Sequence, residues 1–188
     1  MRRLLTILLV CALGLLSACG NSRTPVPSLT RPAAAGALRT FSYPAAGVSF
    51  SAPRSWTVIQ EPAPIAAALG SGSAVVALWR YPRTAGLPRS AAELSLARRA
   101  LIRAARARDG ALVVIGSRTL RVAGAPAIEL DATEQVAGQL RRSRSTHVFA
   151  HGAEIVLDEY APVSLFDQLD VAVFAPLERS LSLSSPAP

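Results

Sequence analysis

The chain has 188 residues, 51% of them hydrophobic, which suits one ordinary domain with a sizeable core and argues against wholesale disorder. Its 20 basic residues, all arginine, face 12 acidic ones and give a formal net charge of +8. This diffuse surplus fits a weak attraction to anionic lipid or cell-wall polymer. No arginine run is interleaved with stacking aromatic side chains, so nucleic-acid binding is not indicated.

Residues 1–18 have the layout of an export signal. Arg2 and Arg3 form a positive start, and the apolar run from Leu4 to Leu16 has signal-peptide length but is short for a membrane span of ~20 residues. The sequence therefore predicts an exported protein on the extracytoplasmic side of the cell membrane.

The end of this run resembles the lipobox of bacterial lipoproteins, with an aliphatic residue, two small residues and a cysteine at Leu16, Ser17, Ala18 and Cys19. The resemblance implies diacylglycerol on the Cys19 sulfur and cleavage between Ala18 and Cys19. Two acyl chains would anchor stably, because burial contributes ~0.8 kcal/mol per CH₂ and one chain alone is marginal. The alternative is an uncleaved signal anchor whose cysteine is incidental.

Composition divides the rest of the chain into three parts. Residues 19–38 contain Pro, Ala and Ser without any hydrophobic period, which predicts a flexible tether behind the lipidated cysteine. Residues 39–183 carry the folded domain, and residues 184–188 form a frayed C-terminus. The domain has no cysteine, which excludes a disulfide, a thiolate metal site and a cysteine nucleophile there.

Hydrophobic periodicity predicts the elements of the domain. Ser90 and Glu93 form a capping-box pattern that opens a helix ending near Arg108. A closing helix is predicted from about Ser164 to Leu181, with a kink at Pro176. The predicted strands cover residues 39–44, 47–53, 55–60, 73–82, 111–122, 125–137, 141–151 and 153–161. Hairpin turns are predicted between the last four strands, at Ala123-Gly124, Gly138-Gln139 and His151-Gly152.

This order of elements predicts an α+β domain, a single antiparallel sheet with helices packed on it. Two motifs stand out in this order, Ser49, Phe50, Pro53 and Trp56 in one and Val122, Gly124 and Pro126 in the other. They resemble PsbP-like domains, a family that includes LpqN-type lipoproteins, the photosystem II extrinsic protein and Ran-binding Mog-type proteins. The resemblance implies a PsbP-like α/β/α sandwich, a binding fold with no shared catalytic set.

Few residues suggest chemistry. His147 and His151 share one face of a predicted strand but lie ~13 Å apart, too far to hold one metal ion without other ligands. No G-x-S-x-G motif marks a nucleophile, so a small envelope hydrolase using His147 is the weaker interpretation. We predict no catalytic residue, no metal site and no cofactor other than the lipid on Cys19.

Four acidic residues lie on adjacent predicted strands: Glu129, Asp131, Asp158 and Glu159. They would bind a cation, act as acid and base, or form a solvated sheet face, and the solvated face is the favoured interpretation. Alternation places Glu129 and Asp131 on one face of their strand. Their neighbours Arg141, Arg142 and Arg144 favour cross-strand ion pairs.

Two surfaces are candidates for binding. Trp79 and Tyr81 lie two residues apart on one strand face, where they would line a ligand groove or belong to the core. Arg99, Arg103 and Arg106 form one stripe of the first helix, which would contact an anionic surface or simply be solvated.

The sequence thus predicts a lipid-anchored, non-enzymatic binding or accessory module at the outer face of the cytoplasmic membrane. Its expected partners are the membrane, through the lipid, and an unidentified envelope protein or ligand. The alternatives are a carrier that holds a small apolar ligand between sheet and helices, and the hydrolase. A serine and an acid within hydrogen-bond reach of His147 would favour the hydrolase.

Overall fold

The computed structural model describes Pro25 and residues 27–60 and 63–187. The strands are Leu38–Tyr43 (β1), Val48–Pro53 (β2), Thr57–Val58 (β3), Ile65–Ser71 (β4), Ala74–Pro82 (β5), Val113–Val122 (β6), Ala125–Val136 (β7), Gln139–Ala150 (β8), Ala153–Pro162 (β9) and Ser182–Leu183 (β10). The helices are Ala91–Arg108 (α1), Val163–Leu169 (α2) and Ala175–Ser180 (α3), and a π-helical turn at Asp170–Phe174 joins α2 to α3.

The α+β class is confirmed, with one refinement of the sheet. Seven strands form an antiparallel sheet in the order β3-β4-β5-β9-β8-β7-β6, and β1, β2 and β10 form a separate three-stranded sheet. The sequence did not predict β4, because Ile65 is the single β-branched residue of its Ala-rich stretch and the stretch has no aromatic residue.

Tight turns fix the register of the long strands. Ala123 and Gly124, Ala137 and Gly138, and His151 and Gly152 all have positive φ, between 49° and 76°. Two consecutive positive φ values are typical of the type I′ turn, whose twist matches that of a hairpin. Two of these turns lie where the sequence predicts them, and the middle one lies one residue earlier than Gly138-Gln139.

Helix α1 begins as predicted. The Ser90 side chain accepts from the Glu93 N–H, and the Glu93 carboxylate accepts from the Ser90 N–H, at 3.2 and 2.8 Å. This capping box satisfies N–H groups that have no partner within the helix. Leu94 and Ala105 are buried against the sheet, so α1 covers β6 and β7.

The closing helix departs from regular geometry earlier than predicted. The sequence places the kink at Pro176, whereas the irregular turn starts at Asp170 and Pro176 follows in the first turn of α3. The turn keeps Phe166 and Phe174 in contact, with their ring centroids 5.4 Å apart. The helix can therefore bury both rings in the core.

The two faces of the seven-stranded sheet are covered differently. We call the face beneath α2, α3 and the small sheet the C-terminal face, and the opposite face the α1 face. The main core lies on the C-terminal face and includes Trp56, Phe166, Phe174 and Leu177, each at most 1% exposed. Smaller apolar clusters lie on the α1 face.

Residues 27–33, which the sequence assigns to the tether, lie against the β4–β5 hairpin. The Ser73 N–H donates to the Thr30 carbonyl at 2.8 Å, and the Ala33 N–H donates to Ser71 Oγ at 2.8 Å. The Tyr160 hydroxyl donates to the Pro25 carbonyl. Cys19, the lipobox and the predicted cleavage site lie outside the described residues.

Candidate functional site

An apolar groove opens between α1 and the segment that connects it to β5. Its volume is about 340 Å³. Small alanines on α1 leave the space open, because larger side chains there would close the gap to the connecting segment. The lining residues are Arg83, Ala85, Gly86, Leu87, Pro88, Ala97, Ala100, Leu101, Ala104, Phe149 and Glu154.

One end of the groove is polar. Glu154 lies on β9 with its side chain only 5% exposed, and its carboxylate pairs with the guanidinium of Arg83. Arg83 is half exposed, so its charge remains available at the mouth of the groove. The groove therefore combines an apolar wall with one paired charge, which is the composition of many small-molecule sites.

Glu154 also begins a hydrogen-bond chain beneath α1. His147 Nδ1 lies 2.6 Å from Glu154 Oε1, and His147 Nε2 lies 3.2 Å from Ser145 Oγ. The sheet register creates this chain, because His147 is two residues from Ser145 on β8 and Glu154 follows across the β8–β9 hairpin. The side chain of Asp158, directly opposite Ser145, bonds to the same hydroxyl.

Burial sets the protonation states of this chain. It lowers the pKa of His147 to about 4, with Arg108 and Arg83 adding to the effect, so the imidazole is neutral at pH 7. Nδ1–H donates to the Glu154 carboxylate, which leaves Nε2 as the acceptor for the Ser145 hydroxyl. Burial also raises the pKa of Asp158 to about 6, although the bond to Ser145 lowers it.

Sequence reasoning missed Ser145 and Glu154, because their neighbourhood depends on strand pairing rather than on a local motif. The hydrogen-bond criterion for a hydrolase is met. Two features weigh against catalysis. The backbone around Ser145 pairs with both β7 and β9, so its N–H groups are not free to hold an oxyanion. Asp158 also competes for the Ser145 hydroxyl.

The predicted aromatic pair does not line this groove. Trp79 is 5% exposed and packs with Ile65, Ala77 and Val156. Tyr81 is 38% exposed and lies opposite Glu154 on the neighbouring strand.

The predicted arginine stripe is exposed on α1 at Arg99, Arg103 and Arg106. Arg98 differs, because its guanidinium donates to the Ser117 carbonyl at 3.0 Å. The stripe therefore remains a candidate for contact with an anionic surface.

A cluster of charged side chains lies on the C-terminal face around Arg144. The Arg144 guanidinium bonds to Asp170 of the π-helical turn and lies 3.6 Å from Asp131 and 3.7 Å from Glu159. The sequence favoured a solvated face for Glu129, Asp131, Asp158 and Glu159, but Glu129 is 3% and Glu159 0% exposed. The expectation of cross-strand ion pairs holds for Arg144, whereas Arg142 pairs with Asp167 at 2.6 Å.

The cluster is tightly coupled. Burial opposes the charge of Arg144, but the bond to Asp170 and the charges of Glu159 and Asp131 raise its pKa. Burial raises the pKa of Glu159 well above its ordinary value, although Arg144 lowers it. Neither carboxylate oxygen of Glu159 has a hydrogen-bond partner. The described residues contain no group of three or more side chains suited to a metal ion.

No family model and no curated protein matches this chain in sequence. Solved structures match in fold. Cyanobacterial PsbP (CyanoP) from Synechocystis sp. PCC 6803 has 12% identity and a TM-score of 0.61, over 83% of this chain and 99% of that one. The Saccharomyces cerevisiae Ran-binding protein Mog1p has 6% identity and a TM-score of 0.53, over 79% and 96%.

A third structure, LpqN of Mycobacterium tuberculosis, involved in cell envelope biogenesis, has 15% identity and a TM-score of 0.47, over 82% of this chain and 90% of that one. The domain has the PsbP-like fold. At these identities the likeness concerns the fold alone. None of the helices in the described part of the chain is long and apolar enough to cross a membrane.

Proposed function

We propose that the chain is an exported lipoprotein, anchored through Cys19, whose domain acts as a non-enzymatic binding module for an apolar or amphiphilic molecule of the envelope. The observation that carries the binding role is the groove between α1 and residues 83–88. The lipobox-like sequence supports the anchor, and the PsbP-like fold supports an accessory or binding role, since one neighbour of that fold is named as Ran-binding.

The dimensions of the groove limit the ligand. A volume of about 340 Å³ is at the lower end of small-molecule sites and accepts a short chain or a compact ring system. Leu101 and Phe149 supply apolar contact, and Arg83 at the mouth suits a polar or anionic head group. A ligand with one apolar and one polar end fits both parts of the groove.

A fluorescent apolar probe tests the binding role. We expect N-phenyl-1-naphthylamine to bind the purified protein with enhanced fluorescence. Ala100→Trp fills the groove and should weaken binding at least tenfold, whereas Ala92→Trp, on an exposed part of α1 away from the groove, should not. Equal binding by the two variants would remove the groove from the proposal.

Intact-mass spectrometry tests the anchor independently. Protein from the native membrane fraction should lack residues 1–18 and carry acyl mass, and Cys19→Ala should abolish both changes. A full-length unmodified mass would contradict the lipoprotein assignment and leave the groove experiment unaffected.

A second candidate function, ester hydrolysis at Ser145, is favoured by the Ser145–His147–Glu154 distances. A fluorophosphonate probe would then label Ser145 in the wild type and not in His147→Gln. Ser143, two residues away on the same strand, is the matched control and should not be labelled. Absence of labelling in the folded wild type would leave the binding module as the function.

A further inference from the structure

The docked N-terminal segment identifies one end of the sheet. At this end β4, β7 and β9 finish and β5, β6 and β8 start, and we call it the hairpin end. The Ser73 N–H holds Thr30 there, and Tyr160 holds Pro25. Gly72, at φ +55°, permits this close approach, because a Cβ atom at that residue would lie 2.4 Å from the Thr30 carbonyl oxygen.

The hairpin end also exposes apolar side chains. Nine large apolar residues are exposed in the described part of the chain, and five of them lie at this end. They span the width from β5 to β6, about 19 Å at the usual strand spacing. The five are Leu29 (77%), Val113 (60%), Ile115 (55%), Leu140 (55%) and Val163 (46%).

Exposed positive charge accompanies these side chains. Arg31 lies beside Gly72, and Arg106 and Arg108 lie in the last turn of α1, which ends here. Asp109 is the acidic residue of the loop that follows α1, and its carboxylate accepts a hydrogen bond from the Ala111 N–H at 2.8 Å. Apolar side chains bordered by arginines fit the interface of an anionic lipid bilayer.

Chain length places the anchor close to this surface. Six residue steps separate Cys19 from Pro25, and an extended chain covers at most about 22 Å over that length. Pro25 is itself held at the hairpin end by Tyr160. A lipid on Cys19 therefore keeps the hairpin end within one short linker of the bilayer.

We propose that the hairpin end is a membrane-seating surface, on which Leu140, Val163 and their neighbours contact an anionic lipid bilayer. The proposal rests on the lipid anchor of the proposed function. It also orients the groove. Glu154 at the groove is six residues from Tyr160 along β9, about 20 Å, so the groove opens at the end away from the bilayer.

Site-specific fluorescence in vesicles tests the orientation. The acylated mature protein is reconstituted in vesicles of 30% phosphatidylglycerol and 70% phosphatidylcholine that contain a head-group nitroxide lipid. The acylated Cys19 leaves a single added cysteine as the free thiol for a bimane label. Leu140→Cys reports on the hairpin end, and Leu96→Cys, 61% exposed on the first half of α1, is the matched control.

We expect quenching at Leu140→Cys to be at least threefold greater than at Leu96→Cys. Val163→Cys is a second reporter that should agree with Leu140→Cys and replaces it if that variant fails to fold. Equal quenching at the two ends, or stronger quenching at Leu96→Cys, would overturn the proposal. The intact mass of the same vesicle-bound sample separates the cases, since a missing acyl mass defeats the anchor and a present one confines the failure to the orientation.

Discussion

The two faces of the seven-stranded sheet bury polar groups in opposite ways. On the C-terminal face, Arg144 lies among several acidic side chains in one ionisable cluster between the sheet and the closing helix. On the α1 face, Ser145, His147 and Glu154 form a chain in which the imidazole is neutral and one carboxylate is charged. Arg144 and Ser145 are neighbours on β8, but their side chains point to opposite faces of the sheet and so belong to two different buried polar groups.

This difference in buried charge gives the two faces different freedom to change. Buried full charges are costly unless each finds a partner, so the charged cluster fixes the position of the closing helix and leaves little room for change. The α1 face buries less charge, and its helix presents alanines that leave a groove open. The C-terminal face holds the domain together, and the α1 face keeps an open groove.

Removal of Arg144 should produce the largest effect. Arg144→Met keeps the length of the side chain but leaves Asp131, Glu159 and Asp170 without their shared positive charge. We expect a loss of about 3–5 kcal/mol in the free energy of unfolding at pH 7, the range for a broken buried ion pair. Urea denaturation measures this loss. Arg103→Met, an exposed residue of α1, is the control and should change stability by less than about 0.5 kcal/mol.

His147 should control the response of the α1 face to acid. Its pKa of about 4 in the folded state lies below the ordinary 6.5, so the unfolded chain binds the proton more tightly. This contribution to stability is fully present above pH 6.5 and is lost as the pH falls towards 4. The total is on the order of 3 kcal/mol, since one pKa unit corresponds to 1.36 kcal/mol.

A glutamine at residue 147 keeps hydrogen-bonding capacity and cannot titrate. Thermal melts of wild type and His147→Gln between pH 7 and 4 should diverge, with the variant losing less stability on acidification. His151→Gln, in the exposed β8–β9 turn, is the matched control and should follow the wild type. Parallel curves for all three proteins would contradict the role of His147.

The reach of sequence reasoning differs between the two faces. Local signals predicted the elements of the α1 face well, because the Ser90–Glu93 capping box and the turns at Ala123–Gly124 and His151–Gly152 act within a few residues. They did not predict the groove, which depends on how residues 83–88 pack against α1. The distance between α1 and that segment follows from tertiary packing, which no periodicity encodes.

The polar groups show the same limit. Alternation along β7 placed Glu129 and Asp131 on one face correctly but could not reveal that the closing helix covers that face. Ser145 and Glu154 meet His147 only through the pairing of β8 with β9. The proposed membrane anchor is the opposite case, since Cys19 is predicted from sequence alone and lies outside the described residues.

The helix cap should have a moderate and local effect. Ser90→Ala removes the acceptor for the Glu93 N–H and should cost about 1 kcal/mol. Because α1 forms one wall of the groove, amide hydrogen exchange should accelerate in its first two turns. Exchange in the closing helix, on the other face, should remain unchanged. Faster exchange throughout the molecule would mean that the two faces unfold as one unit.

Glu159 should give the smallest of these effects. Its replacement should stabilise the folded protein, whereas replacement of Arg144 should destabilise it. Burial raises the pKa of Glu159, so its charged form is disfavoured in the folded protein. The stability present at low pH is lost as the pH rises above the ordinary pKa of a glutamate.

Glu159→Gln removes that penalty while Arg144 keeps Asp170 and Asp131 as partners. We expect the variant to be slightly more stable than the wild type at pH 8, by less than about 1 kcal/mol, and this gain to shrink at pH 5. Urea denaturation at both pH values measures it. A clear loss of stability at pH 8 would mean that Arg144 needs every carboxylate of the cluster, and the C-terminal face would then be a balanced network rather than one with an excess of buried acid.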